Sequence, residues 1–253
     1  MKLTEYKIKN EKFPGKYTFA LISDLHGNKA DRIIEILKDI SPDFILAPGD
    51  IFEPLDGTYD AINESGFELL SACANIAPTF FSAGNHEVNA TRSWSLKWKF
   101  SKEKGKNFSD QSIKRLRETG VTFLDDSFVI CNGFAFGGVG SGLINADKKP
   151  SIGFFSEFCA CDVPKILLCH HPEYFKKYIR EYDVDLIVSG HAHGGQWRFF
   201  GRGVFAPGQG LFPKYTSGVH ENRLVISRGL KKGSVIPRIF NPPEIVKITV
   251  EPK

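Results

Sequence analysis

The sequence predicts an α/β domain, and three observations carry that prediction. Strand-sized apolar runs alternate with runs spaced as helices. The chain has 253 residues, 42% of them hydrophobic and 25% charged, which suits one globular α/β domain with a sizeable core. Asp, Asn and His also fall directly after the ends of several of these strand-like runs. In open α/β sheets that rim is where ligands bind.

In chain order, Tyr17 to Ser23 reads as a buried strand. Ile33, Ile34, Leu37 and Ile40 then recur at helical spacing, and Pro42 stops that helix. Phe44 to Ala47 forms a second strand, Phe67 to Cys73 the end of a second helix, and Thr79 to Ala83 a third strand. The middle changes character, with short runs at Val121 to Leu124, Phe128 to Cys131 and Phe134 to Val139. Asn132-Gly133 between the last two is a hairpin signal and predicts antiparallel pairing there. Lys165 to Cys169 and Asp185 to Ser189 return to buried-strand composition, and Arg223 to Ser227 and Ile245 to Val250 close the chain as strands. Gly201 to Gly218, rich in Gly and Pro, reads as an ordered loop. There is no internal repeat and no linker-like stretch, so residues 1–253 are expected to form a single domain, with 91–110 as a small cap or lip.

Bulk properties exclude several classes. A net charge of +4, from 33 Lys+Arg against 29 Asp+Glu, is too mild to signal nucleic-acid binding. The five cysteines, an odd number without a regular framework, read as reduced thiols. Met1 to Lys9 contains no apolar stretch of signal-peptide length, and no run is long enough to span a bilayer. The expected location is the cytoplasm.

Five segments follow strand ends: Asp24-Leu25-His26, Gly49-Asp50, Gly84-Asn85-His86-Glu87, His170-His171 and Gly190-His191-Ala192-His193. Six of the seven histidines lie in them, all except His220. A single histidine is ordinarily a core or surface residue, but six gathered at one rim with Asp24, Asp50 and Asn85 point to metal binding. In extended backbone, residues two apart share a face, so each Asp-x-His or His-x-His pair is expected to reach one ion. A His/Asp/Asn donor set without thiolate suits Mn, Fe or Zn.

This ordered set of blocks resembles the calcineurin-like metallophosphoesterase superfamily, over the span from Asp24 to His193. Gly194-Gly195-Gln196, Phe205-Ala206-Pro207-Gly208, Ser227-Arg228-Gly229-Leu230 and Asn241-Pro242-Pro243-Glu244 further resemble its bacterial YkuE-like branch. The resemblance implies a four-layer α/β/β/α sandwich of two mixed sheets flanked by helices, with two metal ions at the strand ends. It implies that Asp24, His26 and His193 hold one ion, that Asn85, His170 and His191 hold the other, and that Asp50 bridges both. His86 would be the catalytic histidine and not a ligand. The implied reaction is hydrolysis of P–O bonds by in-line attack of a metal-bridging hydroxide, with His86 assisting the leaving group.

Diesters are the leading substrate class. Monoesters and nucleotide or lipid pyrophosphates are alternatives on the same site, and the partner would be a small or lipid-linked phosphate ester. A non-catalytic scaffold of the same fold is the less favoured reading, since every ligand position is filled. His171 is expected to support the site or the fold, Glu87 to orient His86 or bond a loop amide, and Cys169 to pack in the core. Arg198, Arg202, Arg223 and Arg228 are open between phosphate contact and ordinary ion pairing. The basic stretch Arg92 to Lys106, with Trp94 and Trp98 on one helix face, reads first as a solvated helix packed on the body and second as a peripheral membrane contact.

Overall fold

The computed structural model describes residues 1–53, 63–87, 109–141, 150–232 and 237–253. Its strands form two six-stranded mixed sheets. The first has the order β1 (Lys2–Lys9), β16 (Glu244–Glu251), β2 (Tyr17–Leu21), β3 (Phe44–Ala47), β4 (Thr79–Phe81) and β5 (Thr122–Phe123). Strands β2 to β5 run parallel, and β16 lies antiparallel to β2 and parallel to β1. The second has the order β14 (Gly218–His220), β15 (Leu224–Ile226), β9 (Leu186–Ser189), β8 (Lys165–Cys169), β7 (Phe134–Val139) and β6 (Ser127–Cys131). Here β15, β9, β8 and β7 are parallel, and the outer strands are antiparallel to their neighbours.

The layering follows from the two-residue period of each strand. Phe19, Leu21, Phe44 and Leu46 of the first sheet and Phe136, Ile166, Leu168 and Val188 of the second share one buried cluster. Phe80 and Phe136 stack there at 3.7 Å between ring centroids. The alternate residues face away: Ala20, Ile45 and Ala47 pack with α1 (Asp31–Ile40) and α2 (Glu64–Ile76). Leu167, Cys169 and Ile187 pack with α4 (Phe155–Cys159) and with a single π-type turn, Phe175–Ile179. Helix, sheet, sheet and helix thus form the four layers. Each fully buried Phe or Leu at these seams contributes about 1.5–3 kcal/mol relative to exposure.

The expected elements are present, with informative differences. Helix α1 ends where Ser41 turns left-handed and donates its N–H to Leu37 O, just before Pro42. Helix α2 begins earlier than the apolar run suggests, because Asn63 accepts from Ser65 N and caps it. The β6–β7 hairpin turns at Asn132 and Gly133, both at positive φ. Elements that were not expected include β1, α3 (Asp110–Glu118), α4, β14 and the π-type turn. Strand β1 lies at a sheet edge, so only Ile8 is fully buried, and its period is masked by charged residues. In and just before the Gly201 to Gly218 stretch are two small hairpins, β10 (Arg198–Phe199) with β11 (Arg202–Gly203), and β12 (Phe205–Ala206) with β13 (Gly210–Leu211). The Arg92 to Lys106 segment lies outside the described residues, as does the expected 91–110 lip except at its last two positions. Among the described residues, no helix is long and apolar enough to cross a membrane.

Candidate metal centre

Five loops after parallel strands meet at one rim and are stitched to each other. Asp24 N donates to Gly49 O at 3.1 Å and His26 N to Asp50 O at 3.1 Å, joining the loops after β2 and β3. His191 N donates to Asp24 Oδ1 at 3.0 Å, and Ser141 N to Ala83 O at 3.1 Å, joining the two sheets. The approach is close enough to require glycine. A Cβ on Gly84 would stand 2.3 Å from Asp50 Oδ1, and one on Gly190 would stand 2.5 Å from Asp24 Oδ2.

All the expected residues arrive at this rim, in two clusters. Asp24, His26 and His193 offer ligand atoms within 4.8 Å of one another, and so do Asp50, His170 and His191. Asn85 Oδ1 joins the second cluster, 3.2 Å from His170 Nε2. Asp50 Oδ2 stands 3.1 Å from His170 Nε2 and 3.7 Å from His26 Nε2, so one carboxylate oxygen faces both clusters. His86 sits beside them, with Nε2 3.9 Å from Asp50 Oδ2 and its ring 4.3 Å from that of His26. Its side chain is 19% exposed, against 0–2% for His26, His170 and Asp50, so it faces outward from the centre.

One sequence expectation is corrected here. His191 and His193 do not share a cluster, and none of the post-strand pairs is in extended backbone. Asp24, His26, Asp50, His191 and His193 have φ between 45° and 66°, the left-handed region. The turn sends His191 toward Asp50 and His193 toward Asp24.

Further residues hold these side chains, and several of them escaped the sequence reading. Glu53 Oε2 lies 2.7 Å from His26 Nδ1 and 3.2 Å from His86 Nδ1. Glu173 Oε1 lies 3.3 Å from His171 Nδ1 and 3.9 Å from His191 Nε2, and His171 Nε2 is 2.8 Å from Ser141 Oγ. Arg238 Nη2 stands 3.1 Å from His193 Nδ1. The signal for Glu53 and Glu173 was available, since each is an acid in the same loop as a predicted ligand. Glu87 bonds loop amides: its carboxylate accepts from the N–H groups of Asp50, Phe52 and Gly84 at 2.6–3.0 Å. Arg228 pairs with Glu244, Arg223 donates to backbone carbonyls, and Arg198 Nη1 donates to Gly194 O.

The donor set is suited to cations on electrostatic grounds. Burial raises the cost of ionising Asp50, yet His170 and His86 outweigh it and hold the carboxyl well below its usual range. Burial disfavours the His170 imidazolium, but Asp50 and Asp24 push its pKa up to about 10. Glu87 moves the other way: burial and the Asp50 charge raise it to about 7. His26 Nε2 is buried, has no hydrogen-bond partner among the described residues, and faces the oxygens of Asp24 and Asp50 at 4.0 and 3.7 Å. An unpartnered imidazole nitrogen aimed between two carboxylates fits a bound cation.

Comparison with known proteins gives the family. Residues 17–195 match the family model described as calcineurin-like phosphoesterase. The chain is 27% identical to an uncharacterized metallophosphoesterase of Aquifex aeolicus (strain VF5), covering 100% of this chain and 93% of that one. It is 28% identical to the phosphodiesterase YaeI of Escherichia coli (strain K12), over 62% of this chain and 51% of that one. Among solved structures it resembles TT1561 of Thermus thermophilus, with a TM-score of 0.49, 14% identity, and coverage of 69% of this chain and 81% of that one. The chain belongs to the calcineurin-like phosphoesterase family and is a hydrolase of phosphate esters.

Proposed function

We propose that this calcineurin-like phosphoesterase works with two metal ions and acts on phosphodiesters. The observation that carries the reading is the position of Asp50 Oδ2 between the two histidine clusters. Asp24, His26 and His193 would hold one ion, Asn85, His170 and His191 the other, and Asp50 both. Bound there, two cations of the Mn, Fe or Zn type supply charge to polarise a phosphoryl oxygen and to lower the pKa of water.

The chain's own residues do the positioning. His170 Nδ1 donates to Pro48 O at 2.7 Å, which turns its Nε2 toward the centre. Glu53 does the same for His26 through Nδ1. Glu87 pins the amides of Asp50 and Gly84, so the Asp50 carboxylate is fixed before any ligand arrives. Burial opposes a charge on His86, but Asp50 and Glu53 raise its pKa above the ordinary histidine value. From its partly exposed position it is placed to protonate a departing alkoxide.

The family likeness to YaeI supports the diester reading. The test is a metal-supplemented assay comparing bis-p-nitrophenyl phosphate, p-nitrophenyl phosphate and a nucleotide pyrophosphate. Diester hydrolysis that needs added Mn and stops with a chelator is expected. Faster turnover of the monoester or the pyrophosphate would move the assignment to that class, and turnover indifferent to chelator would end the metal reading.

A further inference from the structure

Among the described residues, six of the exposed large apolar side chains, including the four most exposed, cluster in two stretches next to the metal centre. Phe199, Phe200, Leu211 and Phe212 belong to the small hairpins after β9, and Ile239 and Phe240 precede β16. Phe200 is fully exposed, at 105%, and Phe212 and Phe240 are each 77% exposed. The two stretches form one assembly. Trp197 bridges to Ile239, the rings of Phe199 and Phe240 lie 6.0 Å apart, and Phe212 N donates to Val204 O at 2.8 Å. The assembly is fastened to the loop that carries the site histidines. Asn241 Nδ2 donates to His193 O at 2.7 Å and Val204 N to Gly195 O at 3.1 Å.

Two features set these phenylalanines apart from ordinary exposed residues. Phe200, Phe212 and Phe240 all have left-handed backbone, with φ of 50°, 50° and 52°. Glycine or asparagine would take that conformation at lower cost, and an aromatic ring in water recovers nothing for it. Aromatics are thus held at three turn tips where local preference and solvation both oppose them, which points to a surface that covers them. Charge narrows what that surface is. Neither 196–218 nor 228–243 contains an Asp or Glu, while Arg202, Lys214 and Lys232 are exposed. Apolar tips in stretches that carry cations and no acid complement an anionic lipid bilayer, with rings entering the acyl boundary and the cations meeting headgroup phosphates.

We propose that the loop tips at Phe200, Phe212 and Phe240 seat this protein on anionic membrane surfaces, with the metal centre beside the contact. The inference stands on these residues alone and does not require the diester reading. The test is co-sedimentation of the whole chain with phosphatidylcholine vesicles and with mixed phosphatidylcholine–phosphatidylglycerol vesicles, for the parent and for a Phe200→Asn/Phe212→Asn/Phe240→Asn variant. The parent is expected to pellet with the mixed vesicles, at least about tenfold less with neutral ones, and to be released by salt. The variant should lose that binding by at least about tenfold while melting no lower than the parent. A Phe240→Trp variant should be quenched by bromine-labelled acyl chains only when anionic lipid is present. The proposal is overturned if the parent binds neither vesicle, if the triple variant binds as the parent does, or if sedimentation shows these tips buried in a dimer.

Discussion

Two groups of side chains in this molecule depart from ordinary backbone conformation in the same way, and they differ in what holds them there. At the metal centre, Asp24, His26, Asp50, His191 and His193 are left-handed and largely buried, and neighbouring loops bond to them. At the hairpin tips, Phe200, Phe212 and Phe240 are left-handed and open to water. Asp and His enter this region with less penalty than Phe does. The first group is over-determined by its surroundings, as strain at a functional site must be. Among the described residues, the second has little burial to hold its side chains, beyond the Phe199–Phe240 ring contact. Strain kept by burial argues for a preorganised site, and strain kept without burial argues for a missing partner.

The largest effect belongs to Asp50. Asp50→Asn should lower diester turnover by about a thousandfold, the equivalent of about 4 kcal/mol, with reduced metal content by elemental analysis. Turnover within a few-fold of the parent would remove its bridging role. Gly84→Ala places a methyl against Asp50 Oδ1 and N at 2.3 and 2.5 Å, and chemical denaturation should register a loss of about 1–3 kcal/mol. An unchanged midpoint would show that the close packing of these loops is not required.

Smaller effects test the supporting residues. Glu53→Gln keeps shape but weakens the hold on His26 Nδ1, so metal affinity should fall by about ten- to a hundredfold in a titration. Proton linkage has a definite sign. Without an ion, His170 has its pKa raised to about 10 and is protonated at neutral pH. Metal uptake must expel that proton, so affinity should rise with pH until about 10 and fall as pH is lowered. Calorimetry in two buffers of different ionisation heat checks it, and zero net proton release would contradict it. The smallest effect lies at the tips, where Phe200→Asn should stabilise the fold by about 0.5–1 kcal/mol or leave it unchanged. A marked drop in melting temperature would show that Phe200 packs on something within the chain.

Much of the fold was legible from local pattern. Phe44 to Ala47, Phe134 to Val139 and Lys165 to Cys169 coincide with strands β3, β7 and β8, because a strand buried on both faces leaves an uninterrupted apolar run. Helix α3 was not, since it is rich in charged residues and only Ser112 and Leu116 are buried. The exposed tips were invisible for a related reason. Burial cannot be read from Phe200 or Phe212, whose residue type predicts the opposite of what the fold does with them.

By itself the sequence determined which donors exist and that they stand at strand ends. Apolar runs must be buried, and the polar residues that interrupt them are left at the rim. The family resemblance implied a grouping of those donors, and only the tertiary structure gave the backbone turns and distances behind it. His191 and His193 part company because a left-handed turn separates them. Glu53 reaches His26, and Glu173 approaches His191, because separate loops are folded against each other. Those distances depend on the packing of two sheets across a shared core, and no local stretch of chain encodes them.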